Sequence, residues 1–89
     1  MRESAIERHL VERVRRIGGE CFKFVSPGRV GVPDRVVILP GGEIFWIELK
    51  TWTGKVSPEQ LRMHFRLREL DQDVHVIRSI DQIDKLFPL

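Results

Sequence analysis

The sequence predicts a single α/β domain with the element order α-β-β-β-α-β-α. Three observations support this prediction. Apolar residues recur at helical spacing in two stretches. Between and after these stretches lie short segments rich in apolar and β-branched residues. Glycine or proline separates most neighbouring elements. The chain has 89 residues, which is enough for one hydrophobic core and too few for two.

The first helix is predicted over residues 3–17. Its apolar stripe recurs every three or four residues and consists of Ile6, Leu10, Val14 and Ile17. The Gly18-Gly19 pair that follows is a typical helix stop. Two carboxylates, Glu3 and Glu7, fall on the apolar face of this helix. Because an unpaired buried charge is costly, each is expected to help bind a cation or to have a structural role.

The structural alternatives differ for the two glutamates. Glu3 can be a first-turn residue that interacts with the helix dipole. Glu7 can form a salt bridge with Arg35 or with Lys50. The sequence leaves both alternatives open.

Three strands are predicted next, over residues 20–25, 34–39 and 43–50, with a loop over residues 26–32 between the first two. The turn between the second and third strands decides how Asp34 faces. A two-residue loop would place Asp34 opposite Leu49 and turn its carboxylate to the other face of the sheet. A three-residue turn would pair Asp34 with Glu48 on one face, and this is the arrangement that we predict.

The second helix is predicted from Pro58 to about residue 70, with Ser57 as its N-cap and Gln60 completing a capping box. It has two apolar edges, one with Leu61 and Phe65 and the other with Met63, Leu67 and Leu70. We expect one edge to cover the sheet and the other to contact a partner chain. A last strand over residues 73–77 and a short helix over residues 79–86 complete the domain.

The predicted hairpin brings together groups that suit metal chemistry. Glu48 and Lys50 are two residues apart on one strand, so their side chains share a face, and Asp34 meets them at the open end of the hairpin. Cys21 is the only cysteine and the histidines have no ligand spacing, so the predicted ligands are oxygen atoms. Oxygen ligands favour Mg²⁺ or Mn²⁺.

These residues also carry a resemblance to a known family. Pro33-Asp34 followed after thirteen residues by Glu48-Leu49-Lys50 resembles the signature of the PD-(D/E)xK nucleases. The longer strings at residues 31–37, 46–50 and 56–60, with residues 3–7 at the start, resemble a stand-alone VRR-NUC domain of the phage and bacterial type. The resemblance covers nearly the whole chain. It implies one VRR-NUC nuclease domain over residues 1–89, with a restriction-endonuclease-like core and a mixed central sheet flanked by helices.

The resemblance implies a Mg²⁺- or Mn²⁺-dependent endonuclease that hydrolyses DNA phosphodiester bonds. The implied metal ligands are Asp34, Glu48 and the carbonyl of Leu49, with Lys50 acting on the attacking water. VRR-NUC members suggest Glu3 as a further site residue, whereas related archaeal junction resolvases suggest Glu7. Gln60 is either a capping residue alone or a residue that also reaches the waters of the metal site; both readings stay open.

The basic residues point to nucleic acid, because 11 are Arg and 4 are Lys and Arg is suited to phosphate contact. Ser26, Arg29 and Arg35 lie on the loop and strand beside Asp34 and are expected to contact DNA. No apolar run is long enough to span a membrane, so a cytoplasmic location, in a bacterium or a phage-infected host, is expected.

The resemblance extends to Holliday junction resolvases, and a homodimer would match the two-fold symmetry of a four-way junction. The predicted function is therefore a homodimeric, structure-selective endonuclease for four-way junctions. One alternative is a nuclease for flaps or other branched DNA. Another is a DNA-binding or assembly module that keeps the fold and does not cleave.

Overall fold

The computed structural model describes residues 2–89, which form three helices and four strands. Their bounds, in chain order, are α1 Glu3–Arg16, β1 Glu20–Lys23, β2 Arg35–Ile38, β3 Ile44–Leu49, α2 Pro58–Glu69, β4 Asp73–Ile77 and α3 Ile80–Leu86. The predicted α-β-β-β-α-β-α order is confirmed. No helix within the described residues is long and apolar enough to cross a lipid bilayer.

The four strands form one mixed sheet in the order β1-β2-β3-β4. The first three strands are antiparallel neighbours, and β4 pairs with β3 in parallel. Helix α2 makes the crossover between these parallel strands. The mixed central sheet implied by the family resemblance is therefore present.

The β2–β3 turn has the three residues that the sequence predicts. Leu39 donates its backbone N–H to Glu43 at 2.9 Å, and Gly42 donates to the carbonyl of Leu39 at 3.0 Å. The ladder pairs Arg35 with Ile47, and the same register continued by one residue sets Asp34 opposite Glu48. The two carboxylates therefore lie on one face of the sheet, as predicted.

One face of the sheet forms the hydrophobic core with α1 and α3. The buried residues of this core come from both helices, three strands and the C-terminal segment; they are Ile6, Leu10, Val14, Val37, Phe45, Ile47, Leu49, Ile77, Ile83 and Phe87. A polar contact also joins the two helices, because Asp84 on α3 lies 2.6 Å from His9 and 2.8 Å from Arg13 on α1. This packing holds α1 against α3 and the sheet.

The opposite face of the sheet carries Asp34, Glu48 and Lys50, and α2 covers only part of it. Helix α2 packs on β4, where Val74 is buried, and contributes the buried His64. The rest of this face, on β1, β2 and the start of β3, remains open to solvent. It presents apolar side chains that include Phe22, Phe24, Ile38 and Ile44.

The two apolar edges of α2 differ in burial. Met63 and Leu67 are half-buried, whereas Leu61 and Phe65 are 58% and 65% exposed. Leu70, which we expected on the same edge as Met63 and Leu67, is exposed as well. The Met63–Leu67 edge therefore lies toward the body of the protein, and the Leu61–Phe65 edge faces solvent.

Candidate active site

Asp34 lies at the open end of the β2–β3 hairpin, directly after the buried Pro33. Its backbone carbonyl accepts the N–H of Phe24 at 2.8 Å, one step beyond the last paired residue of β1. Its side-chain Oδ1 lies 3.5 Å from the backbone N–H of Leu49. These contacts set the carboxylate against the end of β3.

Glu48 is buried on β3, with only 5% of its surface exposed. Its Oε1 atom has no hydrogen-bond partner among residues 2–89, and its Oε2 atom lies 3.9 Å from Nζ of Lys50. Burial, followed by the negative charges of Asp34 and Glu3, raises the pKa of Glu48 to about 7 despite the nearby Lys50. Burial and the neighbouring carboxylates therefore outweigh the stabilising effect of Lys50 on the ionised form of Glu48.

A divalent cation fits this arrangement. The unpaired Oε1 of Glu48 and the adjacent Asp34 carboxylate are hard oxygen ligands, and a cation would relieve the repulsion between them. The carbonyl of Leu49 is a suitable third ligand. Because the N–H and C=O of one strand residue point to the same side, this carbonyl faces the Asp34 side, as its N–H does. Within residues 2–89, no three His, Cys, Asp or Glu side chains converge as a metal site, so side chains alone do not complete the coordination.

The two glutamates of α1 have different surroundings. Oε2 of Glu7 lies 2.7 Å from Nη2 of Arg35, which is one of the structural alternatives noted in the sequence. Glu3 is exposed, and its charge contributes to the raised pKa of Glu48.

Arg35 does not have the exposed position that was expected of a DNA-contacting residue. Only 5% of its surface is exposed, since it points toward α1 rather than solvent. Its guanidinium donates to the Asp34 carbonyl at 2.9 Å and pairs with Glu7. These contacts leave Arg35 unavailable to a DNA phosphate, and its role here is to join β2 to α1.

Gln60 forms the predicted capping box. Its Oε1 accepts the backbone N–H of Ser57 at 2.9 Å, and its own backbone N–H donates to Ser57 Oγ at 3.1 Å. The capping interpretation is thus confirmed. The capping box uses the side-chain oxygen of Gln60, so its amide NH₂ group is still able to contact waters of a metal site.

Ser26 and Arg29 lie in the loop before Asp34. The carbonyl of Ser26 accepts the backbone N–H of Arg29 at 3.2 Å, which closes a turn. Arg29 is exposed and lines a cavity together with Arg62 and Arg66 of α2. The two α2 arginines were not among the predicted site residues, although their spacing of four residues places them on one helical face.

His64 is a further buried group that was not among the predicted site residues. It is 1% exposed, and its Nε2 atom has no hydrogen-bond partner among residues 2–89. Burial, aided by the positive charges of Arg68 and Lys50, lowers the pKa of His64. Its spacing of four residues from Gln60 was the available signal, because this spacing places both side chains on one face of α2.

The chain is similar to known proteins in sequence and in fold. No protein-family model matches the chain. A protein named "Putative nuclease p44", from Acyrthosiphon pisum secondary endosymbiont phage 1, is 54% identical over 81 residues, which cover 91% of this chain and 87% of that protein. A solved structure described as a VRR_NUC domain matches with a TM-score of 0.88 and 40% identity, over 94% of this chain and 91% of the other. The chain therefore belongs to the VRR_NUC family.

Proposed function

We propose that this protein is a nuclease that hydrolyses phosphodiester bonds in DNA with the aid of Mg²⁺ or Mn²⁺. The observation that carries the proposal is the buried Glu48, which has an unpaired Oε1, an Oε2 at 3.9 Å from Nζ of Lys50, and the negative charge of Asp34 nearby. A buried carboxylate with a raised pKa and like-charged neighbours is typical of a functional site rather than of a structural ion pair. The name of the phage relative supports the same activity.

Asp34, Glu48 and the carbonyl of Leu49 would hold the cation. Once bound, the cation supplies Lewis-acid polarisation of the scissile phosphate and a lowered pKa for attacking water. The raised pKa of Glu48 means that cation binding competes with a proton at its carboxylate. Metal affinity is therefore expected to increase with pH near neutrality.

Lys50 is proposed to act on the substrate directly. Its Nζ lies 3.9 Å from Glu48, and the side chain is 20% exposed, so the ammonium can reach a ligand at the site. It would orient the attacking water and offset the charge that develops on the phosphate oxygens. Glu3 and Glu7 both remain candidates for the helix-borne glutamate, and the contribution of Glu3 to the pKa of Glu48 favours Glu3.

Replacing the carboxylates tests the proposal. We expect Asp34→Ala and Glu48→Ala to abolish cleavage of DNA in both Mg²⁺ and Mn²⁺ while the purified variants remain folded by circular dichroism. Equal cleavage by the parent and both variants would mean that the site is wrongly assigned. Binding of DNA without any cleavage by the parent would favour the non-cleaving module.

We further propose that the preferred substrate is a four-way DNA junction and that the protein acts as a homodimer. A four-way junction has two-fold symmetry, and a dimer presents two symmetric sites for paired cuts. The open apolar face of the sheet supports self-association, because Phe22 and Ile44 there are 51% and 44% exposed. Self-association would bury this surface.

Substrate comparison and mass measurement test this finer proposal. We expect junctions to be cut in preference to flaps, splayed arms and linear duplex, and light scattering to give the mass of two chains. Cleavage of flaps with junctions left intact would instead support the alternative, a nuclease for other branched DNA. The phage relative supports a place of action in the cytoplasm of a bacterial host.

A further inference from the structure

A cavity of about 230 Å³ lies where the loop before Asp34 meets α2. We call it the arginine pocket; its lining residues are Arg29, Val30, Glu59, Arg62, Met63 and Arg66. Three guanidinium groups and one carboxylate surround it, so its net charge is positive. The side chains of Val30 and Met63 add an apolar surface.

The arginines of the pocket are not strongly held by other groups. Arg62 lies 3.7 Å from Glu59 and Arg66 lies 3.7 Å from Glu69, and both arginine side chains are more than half exposed. Long ion pairs at exposed positions are weak. A phosphate could therefore replace the carboxylates, with the bidentate geometry that guanidinium groups favour.

The wall of the pocket is built by a close contact between the loop and the helix. A Cβ atom placed on Gly31 would lie 2.5 Å from the backbone oxygen of Glu59. Gly31 also has a φ of +89°, a conformation that glycine adopts without strain. The loop can approach α2 this closely only because residue 31 has no side chain, so the two backbone segments that carry the arginines are held together before any ligand binds.

The loop that lines the pocket leads into the carboxylate site, because Arg29 and Val30 lie only a few residues before Asp34. Gly31, which contacts α2 beside the pocket, precedes Asp34 by three residues, which limits the separation of their Cα atoms to about 11 Å. A strand with its scissile phosphate at Asp34 could thus place a nearby phosphate of the same strand in the arginine pocket.

We propose that the arginine pocket binds the sugar–phosphate backbone of the DNA strand being cut, at a phosphate separate from the scissile one. The guanidinium groups of Arg29, Arg62 and Arg66 would contact the phosphate, and the apolar surface of Val30 and Met63 would contact the deoxyribose. This inference rests on the proposed nuclease function. It adds Arg62 and Arg66 to the residues that recognise DNA.

The salt dependence of DNA binding tests the proposal. Fluorescence anisotropy with a labelled DNA junction in EDTA measures binding without cleavage. The slope of log K against log salt is negative for DNA binding, and we expect Arg62→Gln and Arg66→Gln each to reduce its magnitude by about 0.9, whatever the DNA sequence. Arg16→Gln is the matched control, because Arg16 is exposed and lies near the far end of the hairpin, two residues before Gly18, which approaches Pro40.

Steady-state cleavage gives a second measurement. We expect both pocket variants to raise KM more than tenfold relative to Arg16→Gln while kcat changes less than twofold, because the contact is the same in the ground and transition states. If the pocket variants match Arg16→Gln in slope and KM while the parent cleaves DNA, this inference is wrong and the proposed function stands. If the parent neither binds nor cleaves DNA, the proposed function itself fails. If the pocket variants lose binding of inorganic phosphate alone and keep the DNA slope, the pocket is a small-anion site and the inference is also wrong.

Discussion

The Nη2 atom of Arg35 lies 2.7 Å from Oε2 of Glu7, and this pair joins β2 to α1 beside the carboxylate site. Arg35 is buried, and its other carboxylate contact, with Oδ2 of Asp34, is longer at 3.6 Å, so removing Glu7 leaves a charge with little access to water and a weaker partner. We expect Glu7→Gln to lower the free energy of unfolding by about 1–3 kcal/mol, since the glutamate itself is partly exposed.

Glu3→Gln is the matched comparison for Glu7→Gln. Because Glu3 is exposed, we expect its replacement to leave stability almost unchanged and to lower the pKa of Glu48. Urea unfolding measures the first effect for both variants, and NMR titration of the carboxyl groups measures the second. A larger stability loss in Glu3→Gln than in Glu7→Gln would contradict these roles.

Replacement of Glu48 separates stability from activity. The pKa of its carboxyl group is raised from 4.5 to about 7 in the fold, so the native state holds this proton more tightly than the unfolded chain does. Proton binding by Glu48 therefore stabilises the fold fully below the unfolded pKa, and this stabilisation is lost as pH rises through 7. In the metal-free protein, the free energy of unfolding falls by about 3 kcal/mol over this range. We expect Glu48→Gln, which cannot ionise, to be more stable than the parent in EDTA at about pH 8.

Two further conditions check this explanation. At about pH 5 the stability difference between the parent and Glu48→Gln should be small, because Glu48 is then protonated in the fold. Adding Mn²⁺ at about pH 8 should raise the melting temperature of the parent more than that of the variant. An equal rise in both proteins would show that Glu48 is not a metal ligand.

Lys50 is expected to contribute to the chemical step rather than to metal binding. We predict that Lys50→Gln lowers kcat by about 10²–10³-fold, the range found when one donor to a developing oxyanion is removed. Lys85→Gln is the control, because Lys85 is exposed on α3 and pairs with the exposed Asp81. The Mn²⁺-induced rise in melting temperature should be kept in both variants, and its loss in Lys50→Gln alone would indicate a role in metal binding instead.

Gly31 tests whether the contact between the loop and α2 is needed. Gly31→Ala adds both a steric clash with the Glu59 backbone and the strain of a positive φ, whereas Gly41→Ala adds only the strain, because a Cβ atom placed on Gly41 would have no atom within 4 Å. We expect Gly41→Ala to lower the unfolding free energy by about 1 kcal/mol and Gly31→Ala to lower it by more. Urea unfolding measures both, and equal losses would show that the loop can move away from α2 without cost.

The open sheet face is the proposed dimer surface. We expect the double replacement Phe22→Ser and Ile44→Ser to convert the dimer to a monomer by light scattering, because both side chains are exposed and apolar. The comparison is Leu61→Ser with Phe65→Ser, which removes the exposed apolar edge of α2. Dissociation by the α2 pair alone would assign the interface to that helix.

Local pattern was enough to predict the order of the elements and the placement of Asp34 and Glu48 on one face of the sheet. Helical spacing, capping residues and turn length are properties of neighbouring residues, so they can be read without the fold. The three-residue turn is the clearest case, because the number of residues between Leu39 and Glu43 decides that Asp34 and Glu48 share a face.

The limits of β1 and the role of Arg35 were less accessible. The strand was expected to run to residue 25 and ends at Lys23. Phe24 makes one further backbone hydrogen bond, to Asp34, and the chain then turns at Ser26. Arg35 follows Asp34 in the sequence and was expected to face DNA. Alternation along the strand instead turns its side chain to the opposite face, where α1 supplies Glu7.

The meeting of Asp34, Glu48 and Lys50 at one hairpin end follows from the order of residues, because a strand alternates its faces and a short turn sets the register. The different surroundings of Glu3 and Glu7 depend on helix packing. Both residues lie on one helical face, and the tilt and depth of α1 decide which groups of the sheet each one meets. Packing also brings Arg29 to Arg62 and Arg66. Arg29 is more than thirty residues from the two α2 arginines in the chain, and their meeting depends on a close approach of backbone to backbone at Gly31 that no local pattern encodes.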